Sequence, residues 1–178
     1  MRAPLLALFA AALPVLGGAG EIDVSGGYAY SRDVGLERGQ TAQDLHGFDA
    51  ALCFRLTGHM ALVVDAGGQY GSDSGIDFSR QTLTAGPAYV VRRGKLSPFV
   101  HVLAGAVRTH GGISVRGVSI GVTNTDFGVL FGGGLDWELR QRLALRLPEV
   151  DLVAAFASGQ TQKSIRVGAG LVLRLGRR

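Results

Sequence analysis

The sequence predicts an all-β chain: an eight-stranded antiparallel up-and-down barrel. Three observations lead there. Apolar and polar residues alternate with a two-residue period in segment after segment. No stretch after Glu21 carries the period of a helix of useful length. The connections between the alternating segments run long and short in turn.

The final segment, SIRVGAGLVLRL, is the clearest: Ile165, Val167, Ala169, Leu171, Leu173 and Leu175 share one face, and Arg166, Gly168, Gly170, Val172 and Arg174 the other. Strand one sets Ile22, Val24, Gly26, Tyr28 and Tyr30 against Asp23, Ser25, Gly27 and Ala29. Strand two sets Phe48, Ala50, Leu52 and Phe54 against Asp49, Ala51, Cys53 and Arg55. Strand three sets Leu62, Val64, Ala66 and Tyr70 against Asp65, Gly67 and Gln69, and strand four sets Leu83, Ala85, Pro87 and Tyr89 against Arg80, Thr82, Thr84 and Gly86. Strand five, SPFVHVLAGAVRT, is apolar on both faces and has no assignable direction.

Strand six, FGVLFGGGLDWEL, sets Phe127, Val129, Phe131, Leu135 and Trp137 against Gly128, Leu130, Gly132, Gly134, Asp136 and Glu138. Its glycine triplet invites comparison with a phosphate-binding loop. A dinucleotide site needs its glycines between a strand and a helix, whereas this triplet leads into a turn and another strand. The glycines are expected to give lumenal room and strand curvature instead. Strand seven contains Pro148, which has no N–H for a ladder. Arg146 and Asp151 have opposite parity, so both face one way only if a bulge sits near Pro148.

The expected connections are about 14 residues (Arg32–Leu45), two at Gly58-His59, 8 (Gly71–Phe78), 6 (Arg92–Ser97), 16 (Thr109–Asn124), 4 (Leu139–Arg142) and 7 (Ala157–Lys163). Each strand approaches the roughly 9–11 residues that cross a tilted bilayer span. Short turns on one side and longer loops on the other is the rhythm of a membrane barrel.

Two barrels fit this pattern, a soluble lipocalin-type barrel with its apolar face inward and a transmembrane β-barrel with its apolar face on lipid. The polar face decides. It is glycine and alanine punctuated by single charges, Asp49, Arg55, Asp65, Asp136, Glu138, Arg166 and Arg174, where a solvated wall should carry long residues such as Lys, Glu, Gln and Thr. Eight strands leave an interior that side chains fill, and small neighbours let such charges pair across it. Aromatics agree: Tyr28, Tyr30, Phe48, Tyr70 and Phe127 fall at one set of strand ends, and Phe54, Tyr89, Phe99 and Trp137 at the other, as two interfacial belts. The alternative is a soluble periplasmic barrel that binds an apolar ligand.

Residues 1–20, MRAPLLALFAAALPVLGGAG, read as a signal peptide: Arg2 as positive n-region, Leu5–Leu13 as apolar core, and Gly17-Gly18-Ala19-Gly20 as cleavage zone. Pro14 and the small residues shorten the apolar run below the ~20 of a spanning helix. The mature domain, 21–178, is expected to be exported.

The formal charge of +4 rests on sixteen arginines and two lysines, scattered rather than gathered on one face, so nucleic acid is not an expected partner. Cys53, the single cysteine, reads as a small filler with no disulfide. His46, His59, His101 and His110 are dispersed, with no metal-ligand spacing, and no serine sits in a nucleophile elbow. No catalytic residues, cofactor-binding residues or metal ligands are assigned, and no enzyme is expected. His46 and His110 lie nearest the outer loops.

FGGGLDWEL followed by RLALRLPEVDL and an alternating last strand resembles the small outer-membrane β-barrel family, which includes the membrane domain of outer-membrane protein A and the opacity-type proteins. The resemblance covers residues 21–175. It implies an eight-stranded barrel in a Gram-negative outer membrane, inserted by the barrel-assembly machinery and surrounded by outer-membrane lipid. The implied role is structural or surface-interacting, with four extracellular loops as the place for an external ligand. Two departures stand out. The chain ends Leu173-Arg174-Leu175-Gly176-Arg177-Arg178, where family members commonly finish on an aromatic that the assembly machinery reads. A peptidoglycan-binding domain, common in the outer-membrane protein A type, is not expected after strand eight.

Overall fold

The computed structural model describes residues 21–34, 42–73, 76–115, 118–157 and 160–175. Eight strands form one closed antiparallel barrel: β1 (Ile22–Val34), β2 (Asp44–Arg55), β3 (Met60–Asp73), β4 (Ile76–Val90), β5 (Leu96–Val115), β6 (Val118–Arg140), β7 (Leu143–Ala157) and β8 (Gln160–Leu175). Each pairs with its sequence neighbour, and β1 closes on β8 from Ile22↔Leu175 to Val34↔Lys163. Closure leaves the barrel wall without a free edge, which a wall in hydrocarbon requires.

The alternation of the sequence becomes the two faces of that wall. Asp23, Ser25, Ala29 and Ser31 of β1 are buried while Tyr28 is half exposed, and the same alternation runs through the other strands. Strand five acquires a direction: Ser97, Phe99, His101, Leu103 and Val107 point inward, and Val100 and Val102 outward. Phe99 therefore departs from the expected belt. It is a lumenal residue, because its parity on β5 is that of His101 and Leu103. Tyr89 and Trp137 do lie on the outer wall, half exposed.

The register of β7 slips between Arg146 and Glu149, around Leu147 and Pro148. This is the bulge that the parity of Arg146 and Asp151 requires, and both side chains reach the lumen. At the seam between β1 and β8, Gly27 faces Gly170. A Cβ on Gly170 would lie 2.5 Å from the Gly26 carbonyl oxygen and 2.9 Å from the Gly27 Cα, so only glycine permits this approach of the backbones.

The connections differ from expectation at one end. Ladder pairing persists to Asp73↔Ile76, Val115↔Val118 and Ala157↔Gln160, so most of 71–78, 109–124 and 157–163 is strand rather than loop. In the β5–β6 ladder Ile113 pairs with Ile120 and Val115 with Val118. This hairpin end holds four strand connections. The opposite turn end holds three short ones, with Gly94 at φ 60° between β4 and β5, together with the start of β1 and the end of β8.

The lumenal charge network and the outer wall

The interior is an ionic column with an apolar flank. Arg166 on β8 spans it: Nη1 and Nη2 donate to the Asp65 carboxylate of β3 at 3.0 and 3.3 Å, and Nε donates to Asp151 Oδ2 of β7 at 2.8 Å. His101 Nε2 meets the other Asp151 oxygen at 2.8 Å. Arg166, Asp65, Asp151 and His101 are all buried. The two acids flanking one guanidinium explain why charges can stand here at all, since a buried charge is tolerable only when paired and hydrogen-bonded.

Toward the turn end, Arg146 forks onto Asp136 at 2.7 and 3.2 Å and reaches Glu149 at 3.5 Å. Its guanidinium lies 4.3 Å from the centroid of the Phe99 ring, a cation–π contact that gives the inward Phe99 its place. At the turn end itself, Arg92 forks onto Glu21 at 3.0 and 2.7 Å, Arg55 reaches Asp23 at 3.3 Å, and Arg174 reaches Glu138 at 2.8 Å. Burial pushes the Glu21 carboxyl up, but the hydrogen bonds and charge of Arg92, with Arg55 and Arg174 beyond, hold it below the usual carboxylate range. Toward the hairpin end, Arg80 of β4 crosses to Asp33 of β1 at 2.7 Å and to the Ser31 hydroxyl at 3.3 Å.

Beside this column lie Ala51, Ala61, Val63, Ala88, Leu103, Leu130 and Val153, a small apolar cluster. Cys53 packs against it, as a filler residue should. A cavity inside has a volume of about 20 Å³ and is lined by Cys53, Asp65, Phe99, His101, Arg146 and Glu149 among others. That is room for about one water molecule, far below the ~300–1,000 Å³ of a ligand pocket.

The outer wall is the inverse. Twenty-five large apolar side chains are exposed among the described residues, including Phe48, Phe131, Trp137, Leu152 and Leu171. Soluble monomers rarely expose apolar surface on such a scale. Among the described residues, outward-facing charges occur only near the two ends of this wall.

The histidines fall in four unrelated places. His46 bonds the Tyr28 hydroxyl and packs on Tyr30, and His110 bonds Thr123 Oγ1 at 2.8 Å; both lie on the outer wall toward the hairpin end, on β2 and β5. His59 stacks on Tyr89 in a turn. His101 alone enters the lumen. With Glu149 and Asp151 it forms a buried trio whose ligand-capable atoms lie within 4.8 Å of one another. Sequence reasoning missed this trio because strand five had no readable direction. Its chemistry as a metal centre is poor: Arg166 and His101 already occupy the Asp151 oxygens, and Arg146 reaches Glu149, so a cation would have to displace guanidinium charge. Among the described residues no hydroxyl or thiol is hydrogen-bonded to His101, so its pairing with Asp151 resembles a catalytic dyad without a nucleophile.

No family model matches the chain, and no curated protein matches it. Solved structures do. Ail, the attachment invasion locus protein of Yersinia pestis, superimposes with a TM-score of 0.63 at 21% identity, covering 88% of this chain and 99% of Ail. Neisserial surface protein A gives a TM-score of 0.68 at 12% identity, over 86% of this chain and 98% of that one. OprG, an outer-membrane protein of Pseudomonas aeruginosa, gives 0.58 at 13% identity, over 89% and 97%. Ail has also been crystallised in complex with the heparin analogue sucrose octasulfate. The chain has the fold of the small eight-stranded outer-membrane barrels.

Proposed function

We propose that the chain is an exported, non-catalytic outer-membrane barrel with a structural and surface-interaction role, its four hairpins facing outward. The observation that carries this reading is the inverted wall: apolar side chains outside, a paired ionic column inside. A lipocalin-like carrier needs the reverse, and a cavity of about 20 Å³ has no room for an apolar ligand. The first twenty residues lie outside the described residues. Their signal-peptide pattern supports export, and insertion would be the task of the barrel-assembly machinery.

The hairpin of β5 and β6 supports the surface role. Pairing of β6 with β7 begins at Phe127, whereas pairing of β6 with β5 continues to Val118. Residues 118–126, about 30 Å of strand at ~3.3 Å per residue, therefore present a ladder edge with no partner strand among the described residues. An extended segment of an external protein would add to such an edge through main-chain hydrogen bonds.

Single cysteines test the orientation in intact cells with a membrane-impermeant maleimide, in a Cys53→Ser background. Thr123→Cys should label on whole cells, and Lys95→Cys only after lysis. The reverse pattern would invert the proposed orientation, and recovery of the chain in the soluble fraction would restore the carrier reading.

A further inference from the structure

The turn end carries positive charge that the lumenal network does not use. Among the described residues its carboxylates at the rim are Glu21, Asp23 and Glu138, and each has an arginine bonded to it: Arg92, Arg55 and Arg174. Four more cations stand at this end, all exposed: Arg93 and Lys95 between β4 and β5, Arg140 as the last residue of β6, and Arg142 between β6 and β7. None of the four makes an ion pair among the described residues. The two connections are neighbours, because the Glu138 N–H donates to the Lys95 carbonyl at 2.8 Å and Leu96 pairs with Trp137. The four cations thus occupy one arc of the rim.

Directly below that arc, on the outer wall, stand Tyr89, Leu96, Trp137 and Leu139, each about half exposed. The hairpin end is different. Arg32 there pairs with Asp44 at 3.6 Å, and Arg108 and Lys163 are matched in number by Asp77 and Asp126. Among the described residues, charge of one sign beside an aromatic and aliphatic belt is confined to the turn end.

We propose that this arc binds the phosphate headgroups of anionic phospholipid in the leaflet that surrounds the turn end, a step that rests on reading the chain as a membrane barrel. Guanidinium groups donate two parallel hydrogen bonds to a phosphodiester oxygen pair, and lysine adds a point charge. The belt below gives the acyl chains a surface continuous with the headgroup site, which a free phosphate ion would not use. Two adjacent turns are also too short an arc to track a nucleic-acid backbone. The attraction is electrostatic, so it weakens with salt as exposed charges are screened.

Trp137 is the only tryptophan and sits at the arc, so its fluorescence reports the lipid beside it. The refolded barrel is placed in vesicles of phosphatidylcholine mixed with phosphatidylglycerol, with bromine on the acyl chains of one lipid or the other. Brominated phosphatidylglycerol should quench Trp137 about fivefold more effectively than brominated phosphatidylcholine for each retained headgroup contact. The preference should vanish in R93Q/K95Q/R140Q/R142Q and survive added inorganic phosphate at matched ionic strength. Equal quenching in the wild type overturns the proposal, as does a preference retained by the quadruple variant. Loss of the preference to inorganic phosphate also overturns it and leaves a general anion site. A chain that fails to insert, seen beforehand as unshifted Trp137 emission, counts against the membrane reading itself.

Discussion

The inner and outer faces of one wall differ more than any two strands do. Inside, Arg166 is held by Asp65 and Asp151, Arg80 by Asp33 and Arg146 by Asp136. Outside, at alternate positions on the same strands, stand Leu171, Ile165, Leu83 and Leu145. Neither face is stable alone. The charges need a space dry and narrow enough for pairing yet filled by partners of opposite sign, and the apolar face needs a solvent that is not water. The difference teaches that the polar side of a barrel strand is a core when small residues surround its charges, and a surface when long ones do.

Substitutions that exchange the character of the two faces break this comparison. The largest effect is expected of Gly170→Arg. A side chain there meets the backbone of Gly26 and Gly27 across the β1–β8 seam, so closure itself fails, and the chain should show no gel-mobility difference between unboiled and boiled samples. Arg166→Leu comes next. It leaves Asp65 and Asp151 facing each other without their shared cation, at a cost of roughly 3–5 kcal/mol, read as a lowered urea midpoint in vesicles. Leu171→Arg puts a charge on the outer wall and should cost roughly 2–4 kcal/mol at mid-bilayer depth. Wild-type stability for that variant would mean that the faces are assigned wrongly.

The smallest effect sharpens the comparison at its edge, where the column meets solvent. Glu21→Gln loosens the Arg92 fork at a cost of at most about 1 kcal/mol, since the pair is partly exposed. The folded carboxyl lies below its ordinary 4.5, so its contribution is complete above that pH and is lost as pH falls through the folded value. The stability gap between wild type and variant should be flat above pH 4.5 and close below it. A gap that widens in acid would contradict the assignment.

Much of this is legible in the residues. The faces of six strands come from parity alone, and on strand seven the opposed parity of Arg146 and Asp151 is enough to call for a bulge near Pro148. Strand five is not legible, because Val100 and Val102 outside are as apolar as Leu103 and Val107 inside. Phe99 is misplaced for that reason: strand-end position places an aromatic in a belt only once its face is known. The long β5–β6 hairpin can be read from residues 110–124, HGGISVRGVSIGVTN, a connection long and β-prone enough to extend the strands as a hairpin, while the extra ladder at 71–78 and 157–163 is hidden by glycine and serine that read as loop. The lumenal pairings are out of reach, since Arg166 meets Asp65 only when closure brings β8 opposite β3. His101 joins Glu149 and Asp151 by the same route, and no spacing in the sequence announces it.

The central claim is that this chain folds around its charges and against lipid. Heat modifiability of residues 21–178 refolded into detergent tests it most directly, with unboiled and boiled samples run side by side on a denaturing gel and circular dichroism recorded in parallel. The account predicts a β-rich, faster-migrating unboiled band that forms in detergent and not in plain buffer. A chain that folds in plain buffer and migrates as one band regardless of boiling would contradict it and turn the wall inside out.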